Sequence, residues 1–184
     1  MCFFSSHETR RDELLTFRFF AQGMAYPAKY KPIMQFVSTN LREEGSADFK
    51  RDLVEALITL VEKAGSVQAA KEGLFHLCEF IEDCEFTLLS TQILYLLGVE
   101  GPSTQETANY NRIIYNRVVL ENATVRASAV TALAKFGLQL DDLRASIIVL
   151  LQRCLYDNDD EVRDRATFFV SMLQGLAQGH AGIG

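Results

Sequence analysis

One internal repeat constrains this sequence more than any other feature. The stretches 122–133 (NATVRASAVTAL) and 159–170 (DDEVRDRATFFV) share one order: a capping residue, two residues, Val-Arg, two residues, Ala, three residues, then an apolar side chain. The stretch 83–94 (DCEFTLLSTQIL) follows it with Thr in the Arg slot, and 46–57 (SADFKRDLVEAL) with Lys there. The anchors Phe49, Phe86, Val125 and Val162 stand 37, 39 and 37 residues apart. The spacing inside each copy is helical. The cap oxygen meets a free amide of the first turn, and the bulky anchor three residues on points into a layer. The small residue four further on, Ala129 or Ala166 in the two close copies, lets a neighbouring helix approach. Arg126 and Arg163, one past their anchors, are placed to reach the cap region of an adjacent copy.

A period of this length is that of helical-hairpin repeats. The expected fold is therefore all-α: an α-solenoid of stacked antiparallel helical hairpins, HEAT- or armadillo-like. Four copies imply four hairpins, and 8–22 supplies a further helix. Apolar residues recur at helical intervals through 53–61, 69–81, 86–98, 110–120, 124–136, 143–155 and 161–173, with no run of strict alternation. The breaks fall at Gly45-Ser46, Ala64-Gly65-Ser66, Asp83-Cys84, Gly101-Pro102-Ser103, Glu121-Asn122, Gly137 and Asp157-Asn158-Asp159. Three prolines in 184 residues leave room for long helices. The longest strongly apolar run, 86–99, has 14 residues, short of the roughly 20 a spanning helix needs. The first residues do not read as a signal peptide, so the four cysteines, Cys2, Cys78, Cys84 and Cys154, are expected as reduced thiols. A net charge of −6 argues against a broad nucleic-acid footprint.

Catalytic and metal chemistry find little support. The three histidines, His7, His76 and His180, are scattered. His76 and Cys78 lie two apart on one helix and do not face each other. The cysteine spacings match no zinc pattern, and no nucleophile elbow or phosphate-binding loop is present. Asp157, Asp159 and Glu161 are spaced like the start of a calcium loop, but Val162 and Phe168 stand where such a loop needs Gly and Glu. Carboxylates at a helix N-terminus serve its dipole. No catalytic residue, metal ligand or cofactor is expected, and the chain is expected not to be an enzyme.

Longer runs carry a more specific resemblance. They are HLCEFIEDCEFTLLSTQILYLLGVEGP at 76–102, NRVVLEN at 116–122, SAVTALAKFG at 128–137, SIIVLLQRC at 146–154 and DDEVRDRATFF at 159–169. In these the chain resembles the coatomer gamma-subunit family of the COPI coat, over the later half of its adaptin-like trunk. The resemblance covers roughly 28–174. It implies an unmatched segment 1–26 with one helix, solenoid repeats over 27–174 and a flexible Gly-rich tail over 175–184. It also implies a structural coat subunit that works as an interaction scaffold in Golgi-to-endoplasmic-reticulum and intra-Golgi transport. The implied partners are the zeta and beta-type large coatomer subunits and an Arf-family GTPase, with no nucleic acid. The implied location is the cytoplasm, peripheral on Golgi membranes and COPI vesicles through the complex only. The earlier trunk half, which carries the family's main GTPase and small-subunit contacts, has no counterpart here, so no partner-binding residue is carried over. The alternative is a stand-alone HEAT-like adaptor or a truncated paralogue outside the coat.

Overall fold

The computed structural model describes residues 30–43, 47–62 and 67–181. The expected helix at 8–22, and the segment 1–26 that contains it, lie outside the described residues. Eight α-helices are described: α1 (Tyr30–Arg42), α2 (Ala47–Glu62), α3 (Val67–Glu82), α4 (Thr87–Glu100), α5 (Thr107–Leu120), α6 (Ala123–Gln139), α7 (Asp141–Cys154) and α8 (Asp160–Ala181). A 3-10 turn, Gly101–Ser103, follows α4. There is no strand among the described residues.

The chain divides into two compact units, Met1–Asp83 and Cys84–Gly184. In the first, α1, α2 and α3 each pack on the other two. Ile33, Met34, Val37 and Leu41 on α1, Leu53, Val54, Leu57, Leu60 and Val61 on α2, and Leu74, Leu77, Cys78 and Ile81 on α3 are buried. Each set repeats at three or four residues, one stripe per helix. Pro32 sits in the first turn of α1, where a missing amide hydrogen breaks no intrahelical bond.

The second unit is organised around α6, which packs against α4, α5, α7 and α8. Val125, Ala127, Ala129, Val130, Ala132, Leu133, Ala134, Phe136 and Gly137 are all buried. These positions cover well over half of the helix circumference, as a central helix requires, and leave one strip along Thr124, Ser128, Thr131, Lys135 and Gln139 unburied. Small side chains bring four neighbours close. A Cβ on Gly98 of α4 would lie 3.0 Å from the Cα of Ala132, so the two backbones nearly touch there.

Three expectations change. Gly137 is not a break: α6 runs on to Gln139, and the reversal is made by Leu140 alone, which ends α6 and starts α7 with extended backbone (φ −121°, ψ 103°). A Cβ at Gly137 would lie 3.0 Å from Leu173 and 3.2 Å from Ile147, so its lack of side chain serves packing. The expected tail at 175–184 is helical as far as Ala181, because α8 continues through Gly175. Four complete hairpins are not seen either. The fourth copy contributes only α8 among the described residues, and α1 precedes the first copy.

Candidate functional site

The two close copies of the repeat place their residues alike. Val125, Ala129, Val162 and Ala166 are fully buried. Asn122 Oδ1 accepts the Val125 amide at 3.2 Å, and Asp159 Oδ1 accepts the Val162 amide at 3.2 Å. Both are side-chain caps of the expected kind.

The two loose copies differ. Phe49 and Phe86 are only half-buried. Phe86 is the N-cap of α4, in extended conformation and without a side-chain cap bond. Asp83, expected as that cap, instead closes α3 by donating its amide to Phe80 O at 3.3 Å. The buried residue three past the true cap is Leu89, and Ser90 beside it is buried as well. On α2, Leu53 and Val54 fill the core below Phe49.

A polar ladder links the hairpin ends of the second unit. Asn122 Nδ2 donates to Thr87 Oγ1 at the start of α4, at 2.9 Å. Arg126 grips Asp157 with two parallel bonds, Nε to Oδ2 at 2.9 Å and Nη2 to Oδ1 at 2.7 Å, and donates Nη1 to Glu121 O at 2.9 Å. Such a fork is the strongest side-chain pairing available to a carboxylate. Asp157 Oδ1 also accepts the Asp159 amide at 2.9 Å. Arg126 thus reaches the cap region of the next copy, while Arg163 stays within its own, donating to Asp157 O at 2.6 Å and pairing with Asp160. Arg165 crosses from α8 to α6, donating to Thr131 Oγ1 at 3.1 Å and Ala127 O at 3.3 Å. The Arg126 fork, with help from the Asp159 amide and Arg163, holds the Asp157 carboxyl below its usual range against the opposing effect of burial. The same hydrogen bonding raises Arg126.

These contacts also account for the acidic turn. Asp157 is held by Arg126, Asp159 caps α8, Asp160 pairs with Arg163, and Glu161 meets Arg165 at 2.6 Å. Sequence spacing pointed to Arg126 but not to Asp157 or Thr87. The residue count between copies gives the period, not which loop atom a long side chain meets.

The first unit carries an open cleft of about 400 Å³. Arg42, Lys50 and His76 line it together with Glu79, Glu82 and Asp83. Arg42 pairs with Glu79, and His76 Nδ1 lies 3.5 Å from the same carboxylate oxygen. Cys78 is buried on the neighbouring face of α3, where burial, with Glu82 and Glu79, pushes its thiol far above the ordinary range. Burial, assisted by Asp157, raises Cys154 to about 11. In both, burial disfavours the thiolate, the form that acts as nucleophile or metal ligand. No group of three or more His, Cys, Asp or Glu is arranged to hold a metal among the described residues, and no described helix is long and apolar enough to cross a membrane. Regular helical spacing is what the described residues show most plainly.

Comparison with known proteins agrees. Residues 7–176 match the family model of the adaptin N terminal region. The coatomer subunit gamma of Arabidopsis thaliana is 58% identical over 151 residues, which is 82% of this chain and 17% of that protein. The coatomer subunit gamma-2 of Oryza sativa subsp. japonica is 57% identical over 155 residues, 84% of this chain and 17% of the relative. The coatomer subunit gamma-1 of Bos taurus is 54% identical over 149 residues, 81% and 17%. The chain thus spans about a sixth of the length of these curated relatives. The all-α hairpins are accordingly those of an α-solenoid, and the chain belongs to the adaptin N terminal region family, within which it is similar to coatomer gamma subunits.

Proposed function

We propose that this chain is a non-enzymatic structural segment of a COPI coat subunit, acting as a protein-interaction scaffold in Golgi-to-endoplasmic-reticulum and intra-Golgi vesicle transport. The observation that carries the reading is the 54–58% identity to coatomer gamma subunits across about four fifths of the chain. The physical argument is consistent with it. Helical hairpins packed in series bury a core and display long edges to partners, and burial raises the pKa of the Cys78 and Cys154 thiols. The partners in this reading are other coatomer subunits, specifically the zeta and beta-type large subunits, with recruitment by an Arf-family GTPase. The site of action is the cytoplasmic face of Golgi membranes, reached through the complex.

Epitope-tagged chain expressed in cells and recovered with its partners tests this directly. Immunoblotting is expected to detect zeta and the beta-type subunit in the eluate. An eluate without any coatomer subunit, at expression comparable to a tagged full-length gamma subunit that does recover them, would overturn the proposal.

A further inference from the structure

One layer of the second unit leaves a continuous face uncovered. Helices α4 and α8 both pack on α6, and two contacts fix which sides of the three helices lie together. The Lys135 side chain crosses from α6 over α4. Its Cδ passes 3.1 Å from where a Cβ on Gly98 would sit, and its ammonium lies 4.1 Å from the centre of the Tyr95 ring. On the other flank, Arg165 of α8 bonds Thr131 Oγ1 of α6 at 3.1 Å. Thr131 and Lys135 are one turn apart on the unburied strip of α6. Val99 follows Tyr95 by one turn, and Phe168 and Met172 follow Arg165 by one and two turns, so each continues the side of its helix that these contacts locate. Tyr95 is 63% exposed and Phe168 59%, with Val99 at 38% and Met172 at 37%. Two apolar ridges thus flank a polar floor of Ser128 and Thr131, with Lys135 towards the C-terminal end of α6.

Size and charge decide what fits. Packed neighbouring helices stand about 8–10 Å apart, so ridges two helices apart are separated by roughly twice that. One helix, about 10–12 Å across with its side chains, fits between them. Lys135 is the only lysine in 84–184, and it has no carboxylate partner among the described residues. Burial lowers its pKa, and no carboxylate offsets this. Arg165 keeps Glu161 of its own helix. The face therefore lacks an acid at Lys135. One spare cation is too few for an anionic lipid surface, which draws on clusters of about four to eight Lys and Arg. A second copy fits no better, since a two-fold contact would bring Lys135 towards its own equivalent.

We infer that this face seats one helix of a partner protein, in which a line of Asp or Glu runs between two lines of bulky apolar residues. The apolar lines lie on Tyr95 and Val99 of α4 and on Phe168 and Met172 of α8, and an acidic residue reaches Lys135. The inference stands apart from the coat reading, because it uses only contacts within the second unit.

Fluorescence anisotropy with the full chain tests it. The probe is a fluorescein-labelled Leu/Glu peptide whose helix sets a line of Glu between two lines of Leu; in its control every Glu is Lys. The Glu peptide is expected to bind with Kd below about 1 mM. Binding should weaken several-fold with Lys135→Gln and at least about tenfold with Tyr95→Ser plus Phe168→Ser. Lys135→Arg, which keeps the charge, should retain most of it. Val149→Ser with Tyr156→Ser, exposed residues of α7 and the turn after it, should leave binding unchanged, and circular dichroism should show every variant folded. No binding of the Glu peptide at about 1 mM, equal binding of the Lys peptide, no loss with Lys135→Gln or with the Tyr95 and Phe168 pair, or equal loss with the Val149 and Tyr156 pair overturns the docking face. So does co-sedimentation with phosphatidylserine/phosphatidylcholine vesicles that the Tyr95 and Phe168 pair abolishes, or a dimer seen by light scattering that the same pair dissolves.

Discussion

Arg126 and Asp157 show how one pair can carry both position and stability. The fork joins α6 to the turn before α8, and both side chains are largely shielded from water. A charge-assisted bond of this kind contributes about 1.5–3 kcal/mol, against 0–1 for a pair in open solvent. Asp157→Asn is therefore expected to lower the melting temperature at neutral pH by several degrees. The pH dependence has a definite sign. The Asp157 carboxyl titrates below its ordinary value in the folded chain. Its stabilisation is full above the unfolded value of about 3.9 and disappears as pH falls through the lower, folded value. The gap in melting temperature between the parent chain and Asp157→Asn should then stay constant from pH 7 to about 5 and close below about pH 4. A gap that persists undiminished at pH 3 would mean that the carboxylate charge is not what the fork uses. The fork was half-legible in the sequence. Arg126 stood out because Val-Arg recurs after a cap, but its partner sits 31 residues on, in a turn whose carboxylates all looked alike as helix caps.

At the scale of the helix, what was legible followed from strong caps. Asn122 and Asp159 start α6 and α8 where the pattern placed them. The start of α4 was misplaced because Asp83 has the chemistry of a cap and the right offset, whereas the residue that takes the place, Phe86, has no oxygen to offer. Tertiary packing of Leu89, Ile93, Leu94 and Leu97 holds that helix start instead. α1 carried no recognisable copy of the repeat and so was not foreseen as a separate helix. Gly137 was read as a breaker when its role is to admit Leu173 and Ile147. A glycine in sequence reports the need for space or for freedom, but not which. The difference between cap and anchor gives a clean experiment. Val125→Asp puts an unpaired charge into a fully buried site and should cost roughly 3 kcal/mol or more. Phe86→Asp gives up a half-buried ring but supplies the missing cap, worth about 1 kcal/mol, and should change stability by about 1 kcal/mol or less in either direction. Chemical denaturation of both variants checks this. Equal and large losses would restore Phe86 as a buried anchor.

For the molecule, the repeat period and the packing lead to different expectations about cooperativity. In a regular solenoid each repeat touches only its neighbours, so damage stays local. In the second unit α6 touches all four other helices, and it is buried over most of its circumference. Opening α6 exposes the faces of α4, α5, α7 and α8 together, so this unit should behave as one cooperative block. Gly98→Val probes the point directly. The new side chain would be forced against the Ala132 backbone, 3.0 Å from where its Cβ must sit, and overpacking of this sort costs about 1–3 kcal/mol. Hydrogen exchange read by mass spectrometry should then show protection falling by about tenfold not only in α4 and α6 but by a similar factor in α5 and α7. Α loss confined to α4 and α6, with α7 exchanging as in the parent chain, would mean that the second unit unfolds hairpin by hairpin and that α6 is a neighbour among neighbours rather than its centre.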